Sequence, residues 1–264
     1  MTARCGRTSG SAVRNPRGLP GVARFVKVEI WSDVVCPWCA IGRQRFRAAL
    51  AEFPHREDVE VRWRSFELDP TAPREQPAGD RNQRLADKYG FGVERAREMH
   101  ARMTETAAAD GLDFHFDTVR DGNTFDAHRL LHLAFESGGP ALQDTVKERL
   151  FRATFTEGER IGDPETLVRL VAEAGVDADE ARAVLAGDRF AADVREDQAQ
   201  ARRYGISGVP FFVIDEKYGV SGAQPAQALR EVLDKAWAES HPLQVLTPAG
   251  GADGEACADG SCSI

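Results

Sequence analysis

The chain lacks the features that announce a membrane or nucleic-acid protein. No apolar run approaches the ~18 residues needed to cross a bilayer. Positive charge is not in excess: 34 Lys and Arg face 42 Asp and Glu, a formal net charge of −8. A duplex-binding protein usually carries the opposite balance, at least in a patch. The one basic cluster, Arg4 to Arg24, falls in an opening segment rich in Arg, Gly, Ser and Pro. That segment has no apolar core of ~7–15 residues, so an export signal is not expected. Residues 1–24 read as a disordered extension, and the expected location is the cytoplasm. Neither nucleic acid nor membrane is an expected partner. Cysteine is scarce, five in 264 residues. In a reducing compartment such cysteines are more often catalytic or metal-binding than structural.

What remains is ordinary globular material, 42% hydrophobic and 29% charged, enough for a real core. Phe25 to Trp31 alternates apolar and polar residues, as a strand does. Pro37 then stands where a helix would begin, a position that tolerates its missing N–H. Ile41, Phe46, Ala49, Leu50 and Phe53 follow at helical spacing. Val59 to Phe66 alternates again. Strand, helix, strand within about 40 residues makes a βαβ unit.

From residue 80 to residue 204 helical periodicity takes over, with breaks at Gly138-Gly139-Pro140 and Gly162-Asp163-Pro164. Asp163 followed by Pro164 reads as a helix start. Phe211 to Ile214 and Tyr218 to Val220 then read as a hairpin, followed by a helix from Pro225 to Glu239. The reading is an α/β protein in two sequence segments, 25–79 and 205–241. A helical domain, 80–204, is inserted between them, and a Gly- and Ala-rich tail, 242–264, follows.

Cys36-Pro37-Trp38-Cys39 lies at the start of the first helix. Three uses fit such a pair. A structural zinc site needs four ligands, normally a second CxxC or paired histidines. No second CxxC exists. His128 and His132 are four apart, but Arg129 stands where a zincin has its Glu. No metal is expected. A structural disulfide across so short a loop constrains little entropy. The redox use explains more. A helix N-terminus favours a thiolate, and Cys39 one turn deeper can resolve a mixed disulfide formed at Cys36. The βαβ setting is the one a thioredoxin-like motif requires. Near the other end, Val209-Pro210 enters a strand, where proline belongs at an edge or entry. A cis peptide there would leave the Val209 backbone free to pair with an extended substrate.

At this point the chain resembles a known family. The stretches Val28 to Cys39, Phe66 to Pro70, Asn123 to Arg129 and Gly205 to Val213 are similar to DsbA-family oxidoreductases, and more narrowly to their FrnE-like branch. The resemblance covers residues 25 to 240. It implies a thioredoxin-like fold with a large all-helical insertion. It also implies thiol–disulfide exchange, with Cys36 as nucleophile, Cys39 as resolving thiol and Pro210 as a cis-proline. It makes Asn123 and His128 candidate contacts. Asp33, Glu67 and Asp69 lie near the motif in sequence, and Asp69 joins the candidate contacts; one of the three could relay a proton for Cys39, but a solvated surface carboxylate is the expectation for each.

The same superfamily holds glutathione-dependent transferases of the kappa class and 2-hydroxychromene-2-carboxylate isomerases. These typically carry Ser where this chain has Cys36. The expected partners are therefore disulfide-bearing proteins or peptides, with glutathione or a thioredoxin system as redox partner and no bound cofactor. A glutathione-using isomerase is the alternative, and a non-catalytic binding module a third reading. Cys257 and Cys262 in the tail form a candidate second redox pair.

Overall fold

A computed structural model describes residues 25–74 and 81–241. Strand β1 (Val26–Ser32) leads into helix α1 (Pro37–Glu52) and then strand β2 (Val59–Ser65). Six helices follow: α2 (Arg81–Tyr89), α3 (Val93–Ala109), α4 (Phe125–Arg152), α5 (Pro164–Glu173), α6 (Ala178–Ala186) and α7 (Ala191–Arg203). The chain then forms β3 (Phe211–Ile214), β4 (Tyr218–Ser221) and α8 (Ala226–Ser240). The strands lie in the order β2-β1-β3-β4. β1 and β2 are parallel, as a helical crossover demands; β3 is antiparallel to both β1 and β4. This is the expected thioredoxin-like sheet with helices inserted between its halves.

Period-2 alternation sorts the β1 side chains between two faces. Val26, Val28 and Ile30 pack with Phe46, Ala49 and Phe53 of the α1 region and with Leu229, Leu233 and Ala236 of α8. Burying side chains of this size stabilises by about 1.5–3 kcal/mol each. Trp31 points to the other face, among Ala201, Ile206 and Val213. Its indole N–H donates to the Asp197 carbonyl at 2.9 Å. Helix α7 is thus bound to the sheet, although the sequence groups it with the insertion.

The inserted helices have their own core. Leu130, Leu133 and Leu150 of α4 meet Leu167, Leu170 and Val171 of α5 and Val184 of α6. Asp163 caps α5 by accepting from the Thr166 N–H at 2.8 Å, with Pro164 in the first turn. The expected break at Gly138-Gly139 interrupts α4: Gly139 has φ 66°, a conformation glycine adopts without steric cost. Val34, in the turn after β1, packs into this helical core. That turn leads directly into Cys36, so the two cores meet at the cysteine pair.

Candidate active site

Cys36 is the N-cap residue of α1, with φ −92° and ψ 111°. Its carbonyl accepts from the Cys39 N–H at 3.0 Å and the Ala40 N–H at 3.4 Å, and its own N–H donates to the Asp33 carbonyl at 3.3 Å. Pro37 occupies the first helical turn. Both thiols are free and buried, among Phe114, Phe116, Phe151 and Phe155 of the helical insertion. Trp38 projects from the turn, 43% exposed.

The peptide between Val209 and Pro210 is cis. Cys36 Sγ lies 3.6 Å from the Val209 carbonyl oxygen. Residues 173 apart in sequence therefore meet at the reactive sulfur. Gly42, on the next turn of α1, lies against the Pro210 ring.

The electrostatics depart from the sequence expectation. The helix terminus favours a thiolate, yet the Cys36 thiol is pushed well up. Its hydrogen bond with Cys39 is the leading cause, then burial, then the charges of Cys39 and Asp33. The Cys39 N–H acts in the opposite sense.

Asp33 corrects a second expectation. It is buried, not solvated. One carboxylate oxygen accepts from the Leu68 N–H at 2.8 Å, and the other lies 3.4 Å from Nε2 of His128, which is also buried. Burial by itself would raise the Asp33 carboxyl. The hydrogen bond and charge of His128, the Leu68 N–H and the charge of Lys147 outweigh it and hold the group below its usual range.

The remaining candidates sit farther out. Asp69 is exposed and accepts from the Thr71 hydroxyl at 2.7 Å. Glu67 accepts from the Gln198 side chain at 2.7 Å. Asn123 directly precedes Thr124, the N-cap residue of α4. The Asn123 side chain accepts from the Phe125 N–H at 2.9 Å and donates to the Ala72 carbonyl at 3.1 Å. It holds the segment after β2 to the start of α4. Cys257 and Cys262 lie outside the described residues.

Asp33 and Asp69 do share a cavity of about 340 Å³ with Val35, Leu68, Arg81 and Tyr89. It opens beside the turn that carries Cys36. Among the described residues no group of three or more His, Cys, Asp or Glu side chains could hold a metal ion. No described helix is long and apolar enough to cross a membrane.

A family model for the DSBA-like thioredoxin domain matches residues 27–234. The chain belongs to that family. A probable DsbA oxidoreductase from Streptomyces coelicolor, solved by crystallography, is 44% identical; the match covers 90% of this chain and 99% of that one, with a TM-score of 0.76. The uncharacterized protein YwbO of Bacillus subtilis is 28% identical over 80% of this chain and 95% of its own. A 2-hydroxychromene-2-carboxylate isomerase is 18% identical, with a TM-score of 0.61 over 81% of this chain and 97% of that one. At that identity the likeness is one of fold. The DSBA-like fold therefore hosts more than one chemistry, and the site must discriminate between them.

Lys147 is the residue that sequence reasoning missed in this DSBA-like site. It is fully buried in α4. Its spacing to Leu150, Phe151 and Thr154, all buried, is i, i+3, i+4 and i+7. A lysine on an apolar helical stripe was the available signal.

Proposed function

We propose that the protein is a cytoplasmic thiol–disulfide oxidoreductase that exchanges disulfides with protein or peptide substrates. The observation that carries this reading is the pair of thiols in one helical turn, with Cys36 Sγ beside the Val209 carbonyl. The Cys36 thiolate attacks one sulfur of a substrate disulfide. A Cys36–substrate S–S bond forms, and the other substrate sulfur leaves and takes up a proton. Cys39, as thiolate, then attacks Cys36 Sγ. The Cys36–Cys39 bond forms and the second substrate sulfur leaves, accepting the proton that Cys39 gave up. Two electrons and two protons pass to the substrate, and the reverse sequence oxidises a dithiol. Trp38 and the backbone at Val209 face the incoming chain. Glutathione or a thioredoxin system would reset the couple.

A second cysteine in contact with the first favours this reading over a glutathione-using isomerase, which needs only one activating group. The test is Cys39→Ser incubated with a disulfide-bearing peptide. The variant should accumulate a covalent Cys36–peptide adduct, while the native protein releases reduced peptide. An inert Cys39→Ser variant together with a native protein that never reduces the peptide would defeat the reading. Retained isomerisation of a glutathione-dependent substrate by Cys39→Ser would favour the alternative.

A further inference from the structure

The cavity beside the Cys36 turn is lined by three cations from one helix: Arg81, Arg84 and Lys88 of α2. Their spacing, i, i+3 and i+7, puts them on one helical stripe. The stripe spans about 10 Å, at about 1.5 Å per residue. Three residues of extended chain cover the same length, at about 3.3 Å each. Val35 lines the same cavity and is next to Cys36 in sequence, so the cavity reaches the turn of the nucleophile. Leu68 and Tyr89, 47% and 62% exposed, add apolar surface to it.

Three carboxylates line the cavity too, and each is engaged. Asp33 is buried against the Leu68 N–H and His128. Asp69 accepts from the Thr71 hydroxyl at 2.7 Å and the Thr71 N–H at 3.1 Å. Both Asp121 oxygens lie 3.1 Å from Arg81 nitrogens, and Arg84 stands 3.6 Å from one of them. A guanidinium has five N–H donors, so two of them on one carboxylate leave donors to spare. Lys88 is exposed and makes no ion pair among the described residues; its ammonium lies 5.9 Å from the centre of the Tyr89 ring. Its charge is a lesser cause, behind the Thr71 hydrogen bonds, of the low Asp69 carboxyl. What the cavity offers an incoming chain is therefore cationic.

We propose that this cleft binds an acidic stretch flanking the substrate's disulfide, so that the enzyme selects protein or peptide chains with carboxylates near the reacting cysteine. This rests on the redox reading above and names its substrate class. The sign of the effect is diagnostic. The whole chain carries a formal charge of −8 and by itself would attract basic substrates; the cleft predicts the opposite preference. Arg81 and Arg84 also hold α2 through Asp121, and Lys88 stands in the last turn of α2, where a cation suits the helix dipole. Neither of those roles would make the rate depend on the charge of the substrate.

The experiment is single-turnover reduction of disulfide-linked peptides by the pre-reduced full chain. The peptides carry three Glu, three Gln or three Lys beside the reacting cysteine, in versions with the tract on either side. Each rate constant is divided by that of the same peptide with 2-mercaptoethanol, which removes the peptide's own reactivity. Ratios are compared within each protein, so a variant that is merely slower does not imitate the result. An exposed ion pair changes an equilibrium by up to about fivefold. With several acting together, the native protein should favour Glu over Lys by about tenfold at low ionic strength, and salt should erode the preference. Lys88→Glu should bring the ratio to about twofold or below, with Lys88→Gln between. Lys235→Glu makes the same charge change on the exposed face of α8 and should keep the native ratio. A native ratio below about twofold, one that Lys88→Glu leaves unchanged, or one that Lys235→Glu moves equally would overturn the proposal and leave the redox reading standing. Reduction of none of the peptides by the native protein would overturn both. Oxidised glutathione completes the series: if Lys88→Glu slows its reduction and alters no peptide ratio, the cleft serves that small molecule and the proposal falls.

Discussion

Gly42 sits so close to Pro210 that a Cβ built on it would fall 2.9 Å from the Pro210 Cγ and 3.4 Å from its Cβ. The contact joins the second turn of α1 to the strand entry that carries Val209. A proline ring has no free end to swing aside, so an added methyl group must displace either the helix or the ring.

Gly42→Ala is therefore expected to destabilise the protein in spite of the better helix propensity of alanine. Overpacking costs about 1–3 kcal/mol, and the propensity gain offsets up to about 1 kcal/mol. A net loss of roughly 1–2 kcal/mol in urea unfolding is predicted. The reactivity of Cys36 toward an alkylating agent should change with it, because the Val209 carbonyl moves with Pro210. Equal or greater stability with unaltered Cys36 reactivity would show that the contact is slack.

β2 is an edge strand, and Gln143 of α4 stands in for the missing neighbour. Its side-chain oxygen accepts from the Trp63 N–H at 2.9 Å, and its nitrogen donates to the Trp63 carbonyl at 3.0 Å. Gln143→Ala strands both backbone groups in a buried setting. Each unsatisfied group costs about 1–3 kcal/mol, so a loss of roughly 2–6 kcal/mol is expected. Hydrogen exchange at the Trp63 amide should accelerate. Slow exchange in the variant would mean that water replaces the side chain without penalty.

Asp197 joins three elements. It accepts from the Ser65 N–H and from Arg64, both at 2.9 Å, and lies 3.0 Å from His132 Nε2. Burial by itself would raise its carboxyl; the His132 hydrogen bond and charge, the Ser65 N–H and Arg64 prevail and hold it below the usual range. A carboxyl depressed by folding contributes stability above its unfolded value, about 4. That contribution is lost as pH falls through the lower folded value. Asp197→Asn should cost about 3–5 kcal/mol near neutral pH, the usual cost of breaking a buried pair. Its acid limb below about pH 4 should be shallower than in the native protein. Parallel acid limbs for the two proteins would contradict this assignment.

Much of the molecule was legible in the residues alone. The alternation from Phe25 to Trp31 and from Val59 to Phe66 marks two strands, because a strand exposes its faces every second residue. Pro37 and Asp163-Pro164 mark helix starts, because the first turn leaves N–H groups unpaired. The Cys36–Cys39 pair announces itself by spacing and by its position after a strand. These signals are local, and backbone geometry and hydrogen bonding write them within a few residues. The tertiary structure decided the rest. Asp33 looks like any surface carboxylate until α4 folds over it and brings His128 to 3.4 Å. Val209 gains its place beside Cys36 through pairing of β1 with β3, across 173 residues. Lys147 reads as one more charge on a helix, until packing of α4 on the sheet removes it from water. Burial and through-space charge depend on what the whole chain encloses, and no local pattern records that.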